Sequence, residues 1–189
     1  PDLTEEDGQV VIDDVCLWKR PGKEPIIRDE RHIVIRAPAE NLRVIDFTIT
    51  LNPLTDVRIM RSNHSLFSAR MKPELSVEQG GTLVNAGGAK NAEGTFGVKS
   101  PWCAYYGTRD GETEGLAILQ HPSNRWHPAP WFTRDYGFFS PTPMFWLEEG
   151  HVDLPKGAPL TLRYRVLVFA GTPEEVDIAG QYERYAAEN

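Results

Sequence analysis

The chain has 189 residues, 40% of them hydrophobic and 25% charged, with a net charge of −7. That length can bury a substantial core without disulfide or metal staples, and the acidic balance argues against nucleic acid or an anionic membrane surface as partner. No apolar run approaches bilayer-spanning length, so a soluble protein is expected; the chain begins at Pro1 rather than Met, and the compartment stays open.

In chain order, Cys16 (DVCLW) and Cys103 (PWCAYY) sit in strand-like apolar surroundings and read as small buried hydrophobes without metal-motif spacing. PGKEP at residues 21–25 is a loop, and RHIVIR is a short strand. Residues 43–51, RVIDFTITL, alternate cleanly: Ile45, Phe47, Ile49 and Leu51 face one way, Asp46, Thr48 and Thr50 the other. SLFSARM follows as a strand with His64 at its entrance, Phe67 and Ala69 on one face and Leu66, Ser68 and Arg70 on the other. LSVE, TLVN, TFGV, WCAYYG and GLAILQ are further short strands, punctuated by Gly80–Gly81, Gly87–Gly88 and the RDG turn at residues 109–111. The glycines around residues 87–97 lack the G-x-G-x-x-G or G-K-[ST] spacing of a nucleotide loop and read as turns; Asn85, Asn91, Glu93 and Lys99 are polar contacts of low specificity.

Residues 120–137, QHPSNRWHPAPWFTRDYG, concentrate His121, Asn124, Arg125, Trp126, His127, Trp131, Arg134, Asp135 and Tyr136 on a loop stiffened by three prolines. Imidazoles suit acid–base work near neutral pH, guanidiniums clamp ligand oxygens, and indole faces stack on sugar rings. Three bland alternatives stand beside this. Arg134 and Asp135 pair to bracket a crossing loop; Trp131 and Phe132 plug the core; the spacing of His121 and His127 is not a metal signature. Residues 160–169 then alternate with Leu160, Leu162, Tyr164, Val166 and Val168 inward. Thr172, Pro173 and Glu175 form a capping box for a terminal helix whose apolar stripe is Val176, Ala179, Tyr182 and Ala186. Many short strands and one C-terminal helix specify an all-β class, an antiparallel β-sandwich.

SNHSLFSARM, GGTLVNAGG with NAEGTFG, SPWCAYYG, EGLAILQHPSN, HPAPWFTRDYGFFSPTP and LTLRYRVLVFAG occur in that order. Over about residues 43–169 this resembles the bacterial family catalogued as "methane oxygenase PmoA". The particulate enzyme's subunit lies within the membrane and this sequence has no spanning helix, so the label implies neither methane oxidation nor copper here. The resemblance implies a galactose-mutarotase-like β-sandwich (a supersandwich), with residues 1–189 one domain from the C-terminal part of a longer protein that carries a histidine-rich segment upstream. Similar genes accompany sugar-oxidising and sugar-isomerising enzymes.

The expectation is therefore a protein that binds or acts on a sugar or sugar-derived acid. His64 and His121 are the acid–base pair, Arg70, Asn124 and Arg134 hold ligand oxygens, and Trp131 or Tyr136 forms an apolar wall. Any activity would be isomerase-, epimerase- or lyase-like. No cofactor or metal is expected; a metal site would need His64, His121 and His127 to converge. The alternative is a non-catalytic carbohydrate-binding or subunit-assembly sandwich in which the same residues brace the loop.

Overall fold

The computed structural model describes residues 1–63 and 66–188. Its strands are β1 (Asp2–Glu6), β2 (Gln9–Trp18), β3 (Ile27–Ala39), β4 (Leu42–Pro53), β5 (Val57–Met60), β6 (Ala69–Arg70) and β7 (Thr82–Asn85). They continue with β8 (Trp102–Arg109), β9 (Glu112–Gln120), β10 (Trp131–Thr133), β11 (Phe138–Pro141), β12 (His151–Leu154) and β13 (Leu160–Ala170). The helices are α1 (Asn91–Thr95) and α2 (Ile178–Ala186). All pairings are antiparallel.

One sheet runs β1-β2-β3-β4-β13-β9-β8-β7, and two smaller sheets, β10-β11-β6 and β12-β5, lie over part of its inner face. The alternation read from residues 43–51 and 160–169 sets this geometry: Leu51 pairs with Leu160, Ile49 with Leu162, Phe47 with Tyr164 and Ile45 with Val166. With side chains alternating across the pleat, these rows share the inner face. There they meet Met71, Trp131, Phe139 and Leu154 from the covering segments. Val168, next in the alternation, is 40% exposed. Leu167 and Phe169 point outward and are just as buried, because α2 packs on the opposite face with Ile178 and Tyr185. A strand covered on both sides is apolar at nearly every position.

Three segments differ from their predicted state. LSVE is not a strand: residues 73–75 and 77–79 form two 3-10 turns, tied by Tyr105, whose hydroxyl accepts from Val77 N at 2.9 Å. TFGV ends α1 instead, with Phe96 at its C-cap. Of the described residues of SLFSARM, only Ala69 and Arg70 join a sheet, pairing with Phe139 and Phe138. His64, the expected entrance residue, lies outside the described residues. The cysteines are both unbridged, Cys103 buried and Cys16 half-buried.

A candidate groove beside the histidine loop

The loop after β9 spends most of its side chains on the fold. His121 is the first residue beyond β9 and is buried. Its Nδ1 accepts from Ser123 N at 3.1 Å, so the ring proton sits on Nε2, which donates to Glu188 O at 3.0 Å. The ring also packs edge-on against Tyr185, 5.1 Å between centroids. Burial, the dominant cause, pushes the imidazole pKa below its usual value. Both nitrogens are thus engaged and α2 seals the ring, which corrects the expectation that His121 faces a ligand.

Asn124, also buried, clips onto the backbone of Arg163: Nδ2 donates to its carbonyl at 2.8 Å and Oδ1 accepts from its N–H at 2.7 Å. Both ends of the amide are thus committed to the β13 backbone. Trp131 is 0% exposed and donates its indole N–H to Ser100 O at 2.8 Å. It is a core residue, so it forms no wall of a binding site. Arg134 and Asp135 do brace the loop, but not by pairing with each other. The Arg134 guanidinium lies 4.2 Å from the Phe132 ring centroid and 4.7 Å from that of Phe96, while Asp135 Oδ1 accepts from Ala92 N at 2.8 Å.

Two expected residues do come together. The Arg70 guanidinium sits 4.8 Å over the Tyr136 ring, and both line an exposed hollow of about 420 Å³ with Asn63, Ser68, Phe132 and Phe138. Arg134 touches one wall of it through Phe132.

The larger concavity lies on the other side of that aromatic wall. Phe132 packs against Trp146 at 6.3 Å, and Trp146 lines a groove of about 660 Å³, within the usual range for small-molecule sites. Three segments build it: Lys99 before β8, the 125–130 stretch of the histidine loop, and residues 143–152 leading into β12. Its polar and aromatic lining includes Trp126, Trp146, His127, His151, Glu148 and Glu149, with Lys99 and Arg125 as cations. Trp146 is held by edge contacts to Phe96 at 5.5 Å and Phe145 at 5.0 Å, and it lies beside Gly97, whose φ of 77° favours glycine. Arg125 stacks over Trp126 at 5.1 Å.

The two imidazoles are held differently. His127 Nε2 lies 3.0 Å from the Tyr182 hydroxyl on α2. Burial lowers the His127 pKa and raises that of Tyr182, so the pair is a neutral imidazole beside a protonated phenol. Among the described residues, His127 Nδ1 has no hydrogen-bond partner. His151 Nδ1 lies 2.9 Å from Glu149 O and must donate there, since a carbonyl only accepts. Its Nε2 stands 3.8 Å from carboxylate oxygens of both Glu149 and Asp153. Among the described residues no group of three or more His, Cys, Asp and Glu is arranged to hold a metal ion. Lys99, Arg125 and His127 were singled out in the sequence, whereas Trp146, Glu148, Glu149 and His151 were not. The segment FWLEEGH has no period and no motif, and its signal is only the adjacency of an indole, two carboxylates and an imidazole.

The fold and groove define an antiparallel all-β protein with an aromatic, ionisable surface concavity. The chain belongs to the family described as "Family of unknown function (DUF6807)", which matches residues 2–183. A comparison with curated proteins finds no match. Among solved structures, a Klebsiella pneumoniae protein provisionally described as an aldose 1-epimerase aligns over 99% of this chain, at 8% identity and a TM-score of 0.45. The present chain spans 58% of that protein's length.

Proposed function

We propose that the chain binds a sugar or a sugar-derived acid in the 660 Å³ groove, with His127 and His151 placed to exchange a proton with it. The observation that carries this is the joint presence of two indoles, two imidazoles, two carboxylates and two cations in one concavity. Indole faces cover the apolar C–H face of a pyranose, carboxylates accept from its hydroxyls, and Lys99 or Arg125 meets the carboxylate of a sugar acid. His127, neutral near pH 7, offers Nδ1 for proton transfer at a carbon beside a carbonyl or at a ring oxygen. The hollow at Arg70 and Tyr136 is a second place for ligand oxygens. The methane-oxygenase resemblance contributes no chemistry to this reading.

A non-catalytic module is the second reading, and a specific observation favours it. His121, Asn124, Trp131, Arg134 and Asp135 all serve to hold the loop in place. One experiment separates the two. Calorimetric titration with a panel of aldoses, aldonic acids and uronic acids is run alongside NMR detection of deuterium uptake from solvent into the ligand. Saturable binding is expected, weakened about tenfold or more by Trp146→Ala, with Arg125→Ala selectively weakening the acids. Binding without proton exchange supports a carbohydrate-binding module; no saturable binding by any ligand in the panel contradicts the sugar reading, catalytic or not, and leaves the subunit-assembly form of the module.

A further inference from the structure

A second concavity lies on the inner face of the large sheet, away from the groove. There the register places Asp29 between Cys16 and Leu51, and Arg31 between Asp14 and Ile49. The next row on the same face holds Ile12, Ile33 and Phe47. Asp29 is 1% exposed and accepts from Trp18 Nε1 at 3.1 Å, from Arg31 Nε at 3.1 Å and from Arg31 Nη2 at 2.6 Å. A carboxylate withdrawn from water on an apolar sheet, with a half-exposed guanidinium as partner, gains little over well-packed hydrophobes, so stability alone does not account for the pair.

The pair forms part of a hollow of about 310 Å³, floored by Phe47, Ile49 and Leu162 and closed on its far side by Leu66 and Phe67. Asp29 engages the side of the guanidinium formed by Nε and Nη2. Nη1 has no partner among the described residues, and the Arg31 side chain is 39% exposed. The free handle therefore donates and does not accept. The charge balance decides what it takes. Asp29 already offsets Arg31, and Asp14, across from Arg31 on β2 and outside the hollow, adds a further negative charge nearby. An anion entering there would meet a guanidinium whose charge a buried carboxylate already offsets. The apolar floor in turn offers nothing to a polyhydroxylated ring.

We propose that this hollow is a binding site for a neutral, mostly apolar small molecule bearing one carbonyl oxygen, its ring on Phe47 and Ile49 and its oxygen accepting from Arg31 Nη1. The site is independent of the sugar groove and does not rest on it.

The test is an NMR titration of the isotopically labelled chain with acetophenone, benzoate, toluene and glucose, following the Trp18 indole N–H and the Arg31 guanidinium N–H signals. Acetophenone is expected to shift both saturably. Benzoate and toluene should bind at least tenfold more weakly, and glucose should leave both signals in place. Arg31→Lys, which keeps the charge beside Asp29 but removes the planar fork, is expected to weaken acetophenone at least tenfold. Ile33→Trp, which fills the hollow, should abolish binding and serves if the lysine variant does not fold. The proposal is overturned if acetophenone gives no saturable shift, if toluene or benzoate binds as well, or if the filled variant binds unchanged.

Discussion

His121 shows how a residue type that suggests chemistry is used for architecture. Its Nδ1 is taken by Ser123 and its Nε2 by the carbonyl of Glu188, so the ring joins the start of the loop to the residues just after α2. His121→Ala removes both bonds together with the packing on Tyr185, and is expected to cost about 2–3 kcal/mol, measured as a shift in the urea midpoint. The pH dependence has a definite sign. Burial holds His121 and His127 below their ordinary pKa values in the folded chain, so the unfolded chain takes up protons first as the medium acidifies. Stability is therefore expected to be flat above roughly pH 6.5 and to fall as pH drops from there toward the folded values. His121→Asn, followed by denaturant titration across pH 5–8, should flatten that slope. The residue types that carry chemistry were legible in the sequence, but their partners were not. Glu188 lies 67 positions from His121, and nothing local announces that contact.

At the scale of elements, regular alternation was the reliable signal and local turn chemistry the partial one. Residues 43–51 and 160–169 lie within paired neighbours, β4 and β13, because a two-residue period with one buried face leaves a single register. The capping box forms as read: Thr172 N donates to Glu175 Oε2 at 2.7 Å and Glu175 N to Thr172 Oγ1 at 3.3 Å. It closes only one turn. Asp177, at φ 50°, interrupts the helix and caps a new start, its side chain accepting from Gly180 N. Of the expected stripe Val176, Ala179, Tyr182 and Ala186, Val176 is buried and Tyr182 packs against the same cluster, but the restart leaves Ala179 exposed and makes Ile178 and Tyr185 the buried residues of the helix itself. Gly81 sits where the second 3-10 turn crosses the first: a Cβ there would lie 2.2 Å from Leu75 O, a backbone atom that cannot swing away. Gly81→Ala is expected to destabilise by about 2 kcal/mol or more, read from thermal unfolding, with the mixed turn-and-strand segment 73–85 losing amide-exchange protection first.

At the scale of the whole molecule, the large sheet divides its two faces. The outer face is closed by α2 and by Arg165, which binds Asp46 at 2.5 Å and Glu188 at 2.9 Å. The inner face carries the smaller sheets, and the groove opens where their connecting loops meet the histidine loop. The sequence located one wall of that groove, residues 125–127, because imidazole, indole and guanidinium crowd there. The opposite wall, residues 146–149, comes from a segment about twenty positions on that folds back, a closure that no period encodes. The central claim is that these two walls form one ligand site. The most direct measurement is the indole N–H resonances of Trp126 and Trp146 during titration with a sugar-acid panel. Concerted, saturable shifts of both signals with one affinity, lost in His127→Asn or Trp146→Ala, are expected; signals that stay still, or that respond with unrelated affinities, would contradict the account.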